Sequence, residues 1–324
     1  MNAARAPLGL DPEIEPMLVA MAASGLFGDD FDPVAFRDQF EAMSPMMWDA
    51  SGLTVARVEA LTVPGADRAP LEARLYVPEG LGDDAAPLLL FFHGGGFASG
   101  SVRTADAHCR FLAREAGCLV LSSTYRLAPE HPFPAGVEDA FAVMRWTFAN
   151  ADRLGADPSR IAVGGDAPGG GFAAAAAIAA RDEGLEPILQ FLLSPATDFA
   201  GDYPDKQRNL AIGPVQPAAL ARLEAHYLAD PMARTDWRCS PLRAPTLARV
   251  APAFVLVGEY DFLAPEIDAY VTALRAAGVP TVYHRWPGAT HNFFSMVDQL
   301  AIAGVAMRSA AAVLRRALHT AVRP

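Results

Sequence analysis

The stretch Val163-Gly164-Gly165-Asp166-Ala167-Pro168-Gly169-Gly170-Gly171 constrains this chain more than any other. An apolar run at 161–163 precedes it and reads as a buried strand. An alanine-rich run at 172–181 follows and reads as a helix. A strand that turns into a helix through glycines lets backbone approach backbone without side chains in between. That arrangement is the setting of a nucleophile elbow, whose central residue is held out from a sharp turn. Here the central residue is Ala167, and a methyl group cannot attack anything.

The rest of the chain fits an α/β class built around that turn. Continuous apolar runs at 88–92, 119–122, 161–163, 188–193 and 254–257 read as strands buried on both faces, with 281–286 closing the series. Helical patterns at 104–115, 136–150, 169–182, 266–276 and 298–318 separate them; in the last, Met307, Ala311, Leu314 and Leu318 recur at helical spacing. Strands alternating with helices predict a mainly parallel central sheet with helices on both faces. Residues 54–62 and 71–77 alternate as antiparallel edge strands around the turn at 64–67. Residues 1 to about 50 read as two loosely amphipathic helices, one striped by Ile14, Leu18 and Met21. The other carries Phe36, Phe40, Met43, Met46 and Met47, with Gly28-Asp29-Asp30 as the break. That pair either covers a core edge or forms a lid, for which adaptable methionines suit. Residues 200–235 break the alternation, contain a helical piece at 218–227 and add to a helical cap with residues 1–50. An α/β chain of 324 residues can remain one domain, so residues 1–324 are read as a single domain.

Composition narrows the function. A net charge of -11 argues against nucleic-acid or anionic-membrane partners. Cys109, Cys118 and Cys239 are odd in number and widely spaced, with neither a metal nor a disulfide pattern, so a reducing, cytoplasmic location is expected. Residues 1–10 lack a basic segment followed by an apolar one, and no apolar stretch is long enough to span a bilayer. The glycine turn lacks the lysine and hydroxyl residue of a phosphate loop and the register of a dinucleotide site.

Three ordered motifs carry a resemblance. They are His93-Gly94-Gly95-Gly96, then Tyr125-Arg126-Leu127-Ala128-Pro129-Glu130-His131-Pro132-Phe133-Pro134-Ala135, then Gly165-Asp166-Ala167-Pro168-Gly169-Gly170. Together they resemble the hormone-sensitive-lipase-like (bacterial family IV) carboxylesterases of the α/β-hydrolase superfamily, over residues 70–320. The resemblance implies the α/β-hydrolase fold and a serine, aspartate, histidine triad, with Ala167 at the nucleophile position. Asp261, in Gly258-Glu259-Tyr260-Asp261, falls at the acid position, and His291, in Gly288-Ala289-Thr290-His291, at the base position. Both follow apolar strands, where open α/β sheets place their chemistry. It further implies an oxyanion hole from the amides of Gly94 and Gly95, with Gly96, Phe97 and Asp166 in substrate binding and His93 holding the loop. His108, His131 and His284 receive no role. The implied partner is a small to medium acyl ester, with no metal or cofactor and a possible homodimer.

Two departures stand out. Ala167 replaces the serine, and loss of such a nucleophile costs about six orders of magnitude in turnover in a studied protease. Pro168 occupies the position whose N–H serves as a further oxyanion donor, and proline has none. Two explanations follow. Ala167 is a deliberate serine-to-alanine change that traps a ligand, which the intact Asp261, His291 and glycines favour. Alternatively the chain naturally lacks the nucleophile and either binds a ligand or uses Asp261–His291 as a base for an elimination, which Pro168 favours.

Overall fold

The computed structural model describes residues 9–23, 32–82, 84–213 and 215–320. The readings of residues 1–8 and of Gly28-Asp29-Asp30 lie outside the described residues. Among the described residues eight strands form one sheet: β1 (Arg57–Pro64), β2 (Pro70–Val77), β3 (Ala86–Phe92), β4 (Leu119–Ser123), β5 (Ala156–Asp166), β6 (Gln190–Leu193), β7 (Ala253–Gly258) and β8 (Thr281–Trp286). Their order is β1-β2-β4-β3-β5-β6-β7-β8. β2 runs antiparallel to β1 and β4, and β4-β3-β5-β6-β7-β8 are parallel throughout.

The helices are α1 (Ile14–Ala23), α2 (Phe36–Met47), α3 (Asp106–Ala116), α4 (Ala135–Ala149), α5 (Ala151–Leu154), α6 (Pro168–Glu183), α7 (Pro204–Leu210), α8 (Pro217–Tyr227), α9 (Ala264–Ala276) and α10 (Ala301–Thr320). Alternate residues of each central strand feed two separate cores, as the two-residue period of a strand demands. Leu88, Leu90 and Phe92 of β3 join Val137 of α4, Phe172 of α6 and Ile267 of α9 on one face. Leu89 and Phe91 join Leu112 of α3 and Met307, Ala311, Leu314 and Leu318 of α10 on the other. A sheet covered on both faces explains why its strands read as unbroken apolar runs.

Three expectations need correction. Residues 71–77 are not an edge strand: β2 is hydrogen-bonded on both sides and buries Leu71, Ala73, Leu75 and Val77 in one core and Tyr76 in the other. β1, the true edge, starts at Arg57 rather than Thr54. In α2, Met46 lies 71% exposed, outside the apolar group assigned to it; Pro45 interrupts the backbone ladder at that end of the helix. Segment 200–235 also holds α7, which has no apolar periodicity to announce it.

Cys109, Cys118 and Cys239 are all buried and unpaired. Burial pushes the Cys118 thiol up to about 12, so it behaves as core. Among the described residues, no helix is long and apolar enough to cross a membrane.

Candidate active site

β5 delivers the chain to Ala167, and α6 departs from it with Pro168 in its first turn, a position where the missing N–H costs no helical hydrogen bond. Ala167 has φ 49° and ψ -116°, a conformation an L-residue rarely adopts. The turn is pinned on both sides: the Ala167 amide donates to the Leu193 carbonyl at 2.9 Å, and its own carbonyl accepts from Ala196 and Gly171, each at 3.1 Å. The glycines earn their place by close approach. A Cβ on Gly169 would stand 2.1 Å from the Phe92 carbonyl oxygen, and one on Gly165 2.5 Å from the same atom.

The acid and base come from the loops after β7 and β8. Both carboxylate oxygens of Asp261 lie 2.9 Å from His291 Nδ1. Asp261 is fully buried, and its Oδ1 also accepts the Leu263 amide at 2.8 Å. Its backbone carbonyl accepts from Asn209 Nδ2 at 2.9 Å. A carboxylate at Nδ1 fixes the tautomer with the proton there and leaves Nε2 as the atom that can take a proton. The Phe262 ring packs against the imidazole with centroids 4.6 Å apart.

His291, Ala167 and Pro168 line one cavity of about 140 Å³ together with Gly95, Gly96 and Phe97. Met21 of α1 and Phe36, Phe40, Met43 and Met47 of α2 supply part of its wall, and Val215, Leu220 and Leu223 another. α2 is tied to the glycine loop: Arg37 donates to the carbonyls of Ala98 at 2.6 Å and Ala128 at 2.8 Å and pairs with Glu130 at 2.6 Å. Phe97, at φ 67°, stacks on Tyr227 of α8 with ring centroids 3.8 Å apart.

The glycine loop differs from expectation at one residue. The Gly94 amide donates to Asp166 Oδ1 at 2.8 Å and is therefore spent. The amides of Gly95 and Gly96 donate to no other group among the described residues, and both residues line the cavity. The free pair is thus Gly95 and Gly96 rather than Gly94 and Gly95. Both sit at positive φ, 125° and 62°, which glycine tolerates and other residues resist. No sequence signal shows which amide of a glycine run is already engaged.

Asp166 likewise does not line this cavity. With His93, Gly94 and Asn292 it faces a second, more polar space of about 460 Å³ behind the loop. Burial pushes the Asp166 carboxyl up to about 7, against the opposing pull of the Gly94 amide and His291. His93 is held as a structural residue: Nδ1 lies 2.8 Å from the Gly94 carbonyl, its own carbonyl accepts the Tyr125 hydroxyl at 2.8 Å, and the two rings stack 4.3 Å apart. Burial lowers its imidazole to about 4, so it is neutral near pH 7. The motif at 125–135 thus braces the glycine loop, and its Arg126 is locked to Asp139 at 2.8 Å. His108 is buried on α3 with Nε2 3.0 Å from Ser295 Oγ, and His284 lies on β8; neither reaches the cavity.

An imidazole backed by a buried carboxylate, two unengaged amides and a strained elbow on one small cavity define the class of an acyl-transfer hydrolase site. Comparison with known proteins agrees. Residues 89–295 match the family model described as the α/β hydrolase fold. The carboxylic ester hydrolase LipN of Mycobacterium tuberculosis is 38% identical over 301 residues, covering 89% of this chain and 77% of LipN. The esterase LipI of the same organism is 35% identical over 318 residues, covering 95% and 96%. Among solved structures, a serine-to-alanine mutant of an α/β-hydrolase enzyme from the metagenome of Lake Arreo superposes with a TM-score of 0.89 at 36% identity, covering 95% of this chain and 98% of that one. An esterase of Pyrobaculum calidifontis superposes with a TM-score of 0.88 at 34% identity, covering 97% and 100%. The chain belongs to the α/β-hydrolase family, within its hormone-sensitive-lipase-like carboxylesterases.

Proposed function

We propose that this chain is a cytoplasmic carboxylic ester hydrolase for small to medium acyl esters, arrested at its nucleophile. The observation that carries the reading is the His291–Asp261 pair at 2.9 Å facing the same cavity as Ala167 and the amides of Gly95 and Gly96. With a hydroxyl at position 167, His291 Nε2 takes its proton as the oxygen attacks the ester carbonyl. The Gly95 and Gly96 amides receive the oxyanion, and the alcohol leaves with the proton from His291. Water then repeats the sequence on the acyl-enzyme. In the present chain the first bond cannot form, so an ester is bound and oriented without being cleaved. Pro168 withholds a third donor.

The cavity of about 140 Å³ is below the ~300–1,000 Å³ usual for drug-sized ligands and supports short acyl groups. Residues 1–50 and 200–235 serve as the cap, since both supply side chains to its wall. Hydrolysis of a short p-nitrophenyl ester by this chain and by Ala167→Ser tests the reading. Turnover in the variant alone supports it. Silence in both marks a ligand-binding relative, and turnover in the present chain overturns the nucleophile assignment.

A further inference from the structure

The reaction as proposed gives Lys206 no task. This residue sits on α7 with its side chain 15% exposed and lines the cavity, whose wall is mostly aromatic, leucine and methionine. Its Nζ lies 2.7 Å from Glu266 Oε2. Glu266 is itself buried, and its other oxygen accepts the amides of Thr197 at 2.8 Å and Asp198 at 3.2 Å. An ammonium has three donors and no acceptor. Among the described residues the Lys206 ammonium makes one hydrogen bond, to Glu266, and it carries two further donors on a side chain that lines an apolar cavity. Burial alone would favour the neutral amine, but Glu266, then Glu224 and Asp198, outweigh it and keep the ammonium protonated. Donors on a desolvated charge are costly to leave unfilled when a ligand displaces water, so a ligand that brings an acceptor into the cavity is favoured over one that does not.

The charges around Lys206 say which acceptor. Glu266 is balanced by Lys206, Glu224 by Arg234 at 3.0 Å, and Asp198 by Arg243 at 2.6 Å with the Tyr203 hydroxyl at 2.7 Å. Among the described residues the wall carries no surplus positive charge, and a carboxylate would meet Glu266 and Glu224 beside Lys206. An uncharged oxygen meets only the two donors. We infer that Lys206 selects esters bearing a second, uncharged oxygen acceptor, such as a ketone or ether, beyond the scissile carbonyl. This names the substrate class of the ester-binding reading above and rests on it.

Because Ala167 cannot cleave, affinity for intact esters is measured directly by calorimetry on the chain as it stands. The probes are matched pairs that differ by one oxygen function: phenyl levulinate against phenyl pentanoate, and methoxyethyl benzoate against butyl benzoate. At least one oxygen-bearing member should bind about tenfold tighter than its alkyl partner. In the double variant Lys206→Met/Glu266→Gln, which removes both charges and leaves neither unpaired, that ratio should fall to about one. Ratios near one in both pairs of the parent overturn the inference and leave the ester-binding reading intact. A preference that survives in the double variant overturns the assignment to Lys206. No binding of any of the four esters overturns the ester-binding reading itself. The parent measurements need no variant, so the inference can fail even if the double variant does not fold.

Discussion

The two halves of the site stand in contrast. On the β7–β8 side, Asp261 and His291 form a buried pair joined through Nδ1, with Asn209 and the Leu263 amide supporting Asp261 and Nε2 left for a proton. On the β5–α6 side, Ala167 sits at φ 49° in a turn that presents a methyl group, followed by a proline with no N–H. The first half has the atoms its geometry calls for. The second has the geometry without the atoms. Since the glycines around Ala167 pack backbone against backbone, the elbow is enforced by its neighbours and not by the chemistry of residue 167. The contrast teaches that such a turn can hold its geometry with no reactive atom at its tip.

Restoring the atom is the largest test of that contrast. Ala167→Ser should raise kcat on a short p-nitrophenyl ester by at least about 10³, since loss of a comparable serine costs about 10⁶ and the missing Pro168 donor withholds part of the gain. Adding Pro168→Ala should raise kcat by a further ~10²–10³. An unchanged rate in the double variant would mean that the second half lacks more than two atoms. The base half is tested in the restored background. In the Ala167→Ser background, Asp261→Asn should lower kcat by about 10⁴, because an amide cannot hold the Nδ1–H tautomer that Asp261 enforces. A loss of less than about tenfold would show that the intact half is not coupled to position 167.

The same contrast explains what could be read from the sequence. The strands at 88–92 and 254–257 and the position of the elbow were legible because a sheet covered on both faces leaves an apolar imprint and the turn needs glycine. Asp261 and His291 were legible as motif positions at strand ends. The Gly94 amide was assigned to the oxyanion hole because nothing local shows that Asp166, distant in sequence, already accepts it. Helix α7, Pro-Asp-Lys-Gln-Arg-Asn-Leu, carries no apolar period, and its Lys206 meets Glu266 only through the fold. Helical spacing groups Met46 with Met43 and Met47, but spacing does not say which side of α2 meets the core, and Met46 lies on the exposed one. Long-range pairing, not propensity, is what a single sequence hides.

Asp166 offers a pH test of the second half. Its folded value of about 7 lies above the ordinary 3.8, so the buried carboxyl favours the protonated form. The sign follows: stability from this group is fully present below about pH 4 and is lost as pH rises through about 7. The shift corresponds to roughly 4 kcal/mol across that window. Asp166→Asn keeps an oxygen for the Gly94 amide and cannot ionise. Part of that loss falls below pH 5, so urea midpoints at about pH 5 and about pH 8 should show the variant gaining on the parent by about 2–3 kcal/mol as pH rises. Equal changes in both chains would place Asp166 in a wetter setting than its burial implies.

The smallest effect concerns the strain itself. A non-glycine residue held in a sparsely populated backbone region costs ~1–3 kcal/mol, and here no hydroxyl is presented in return. Glycine at 167 would relieve that strain and would lose ~0.5–1 kcal/mol through the freedom of the unfolded chain. The net expectation for Ala167→Gly is a gain of about 1 kcal/mol, read as a higher urea midpoint with an unchanged slope. Destabilisation by a similar amount would mean that the Ala167 methyl, which is 3% exposed, packs well enough to outweigh the backbone cost. The elbow would then be held partly by residue 167, and the separation between its geometry and its chemistry would fail at the position where it should be clearest.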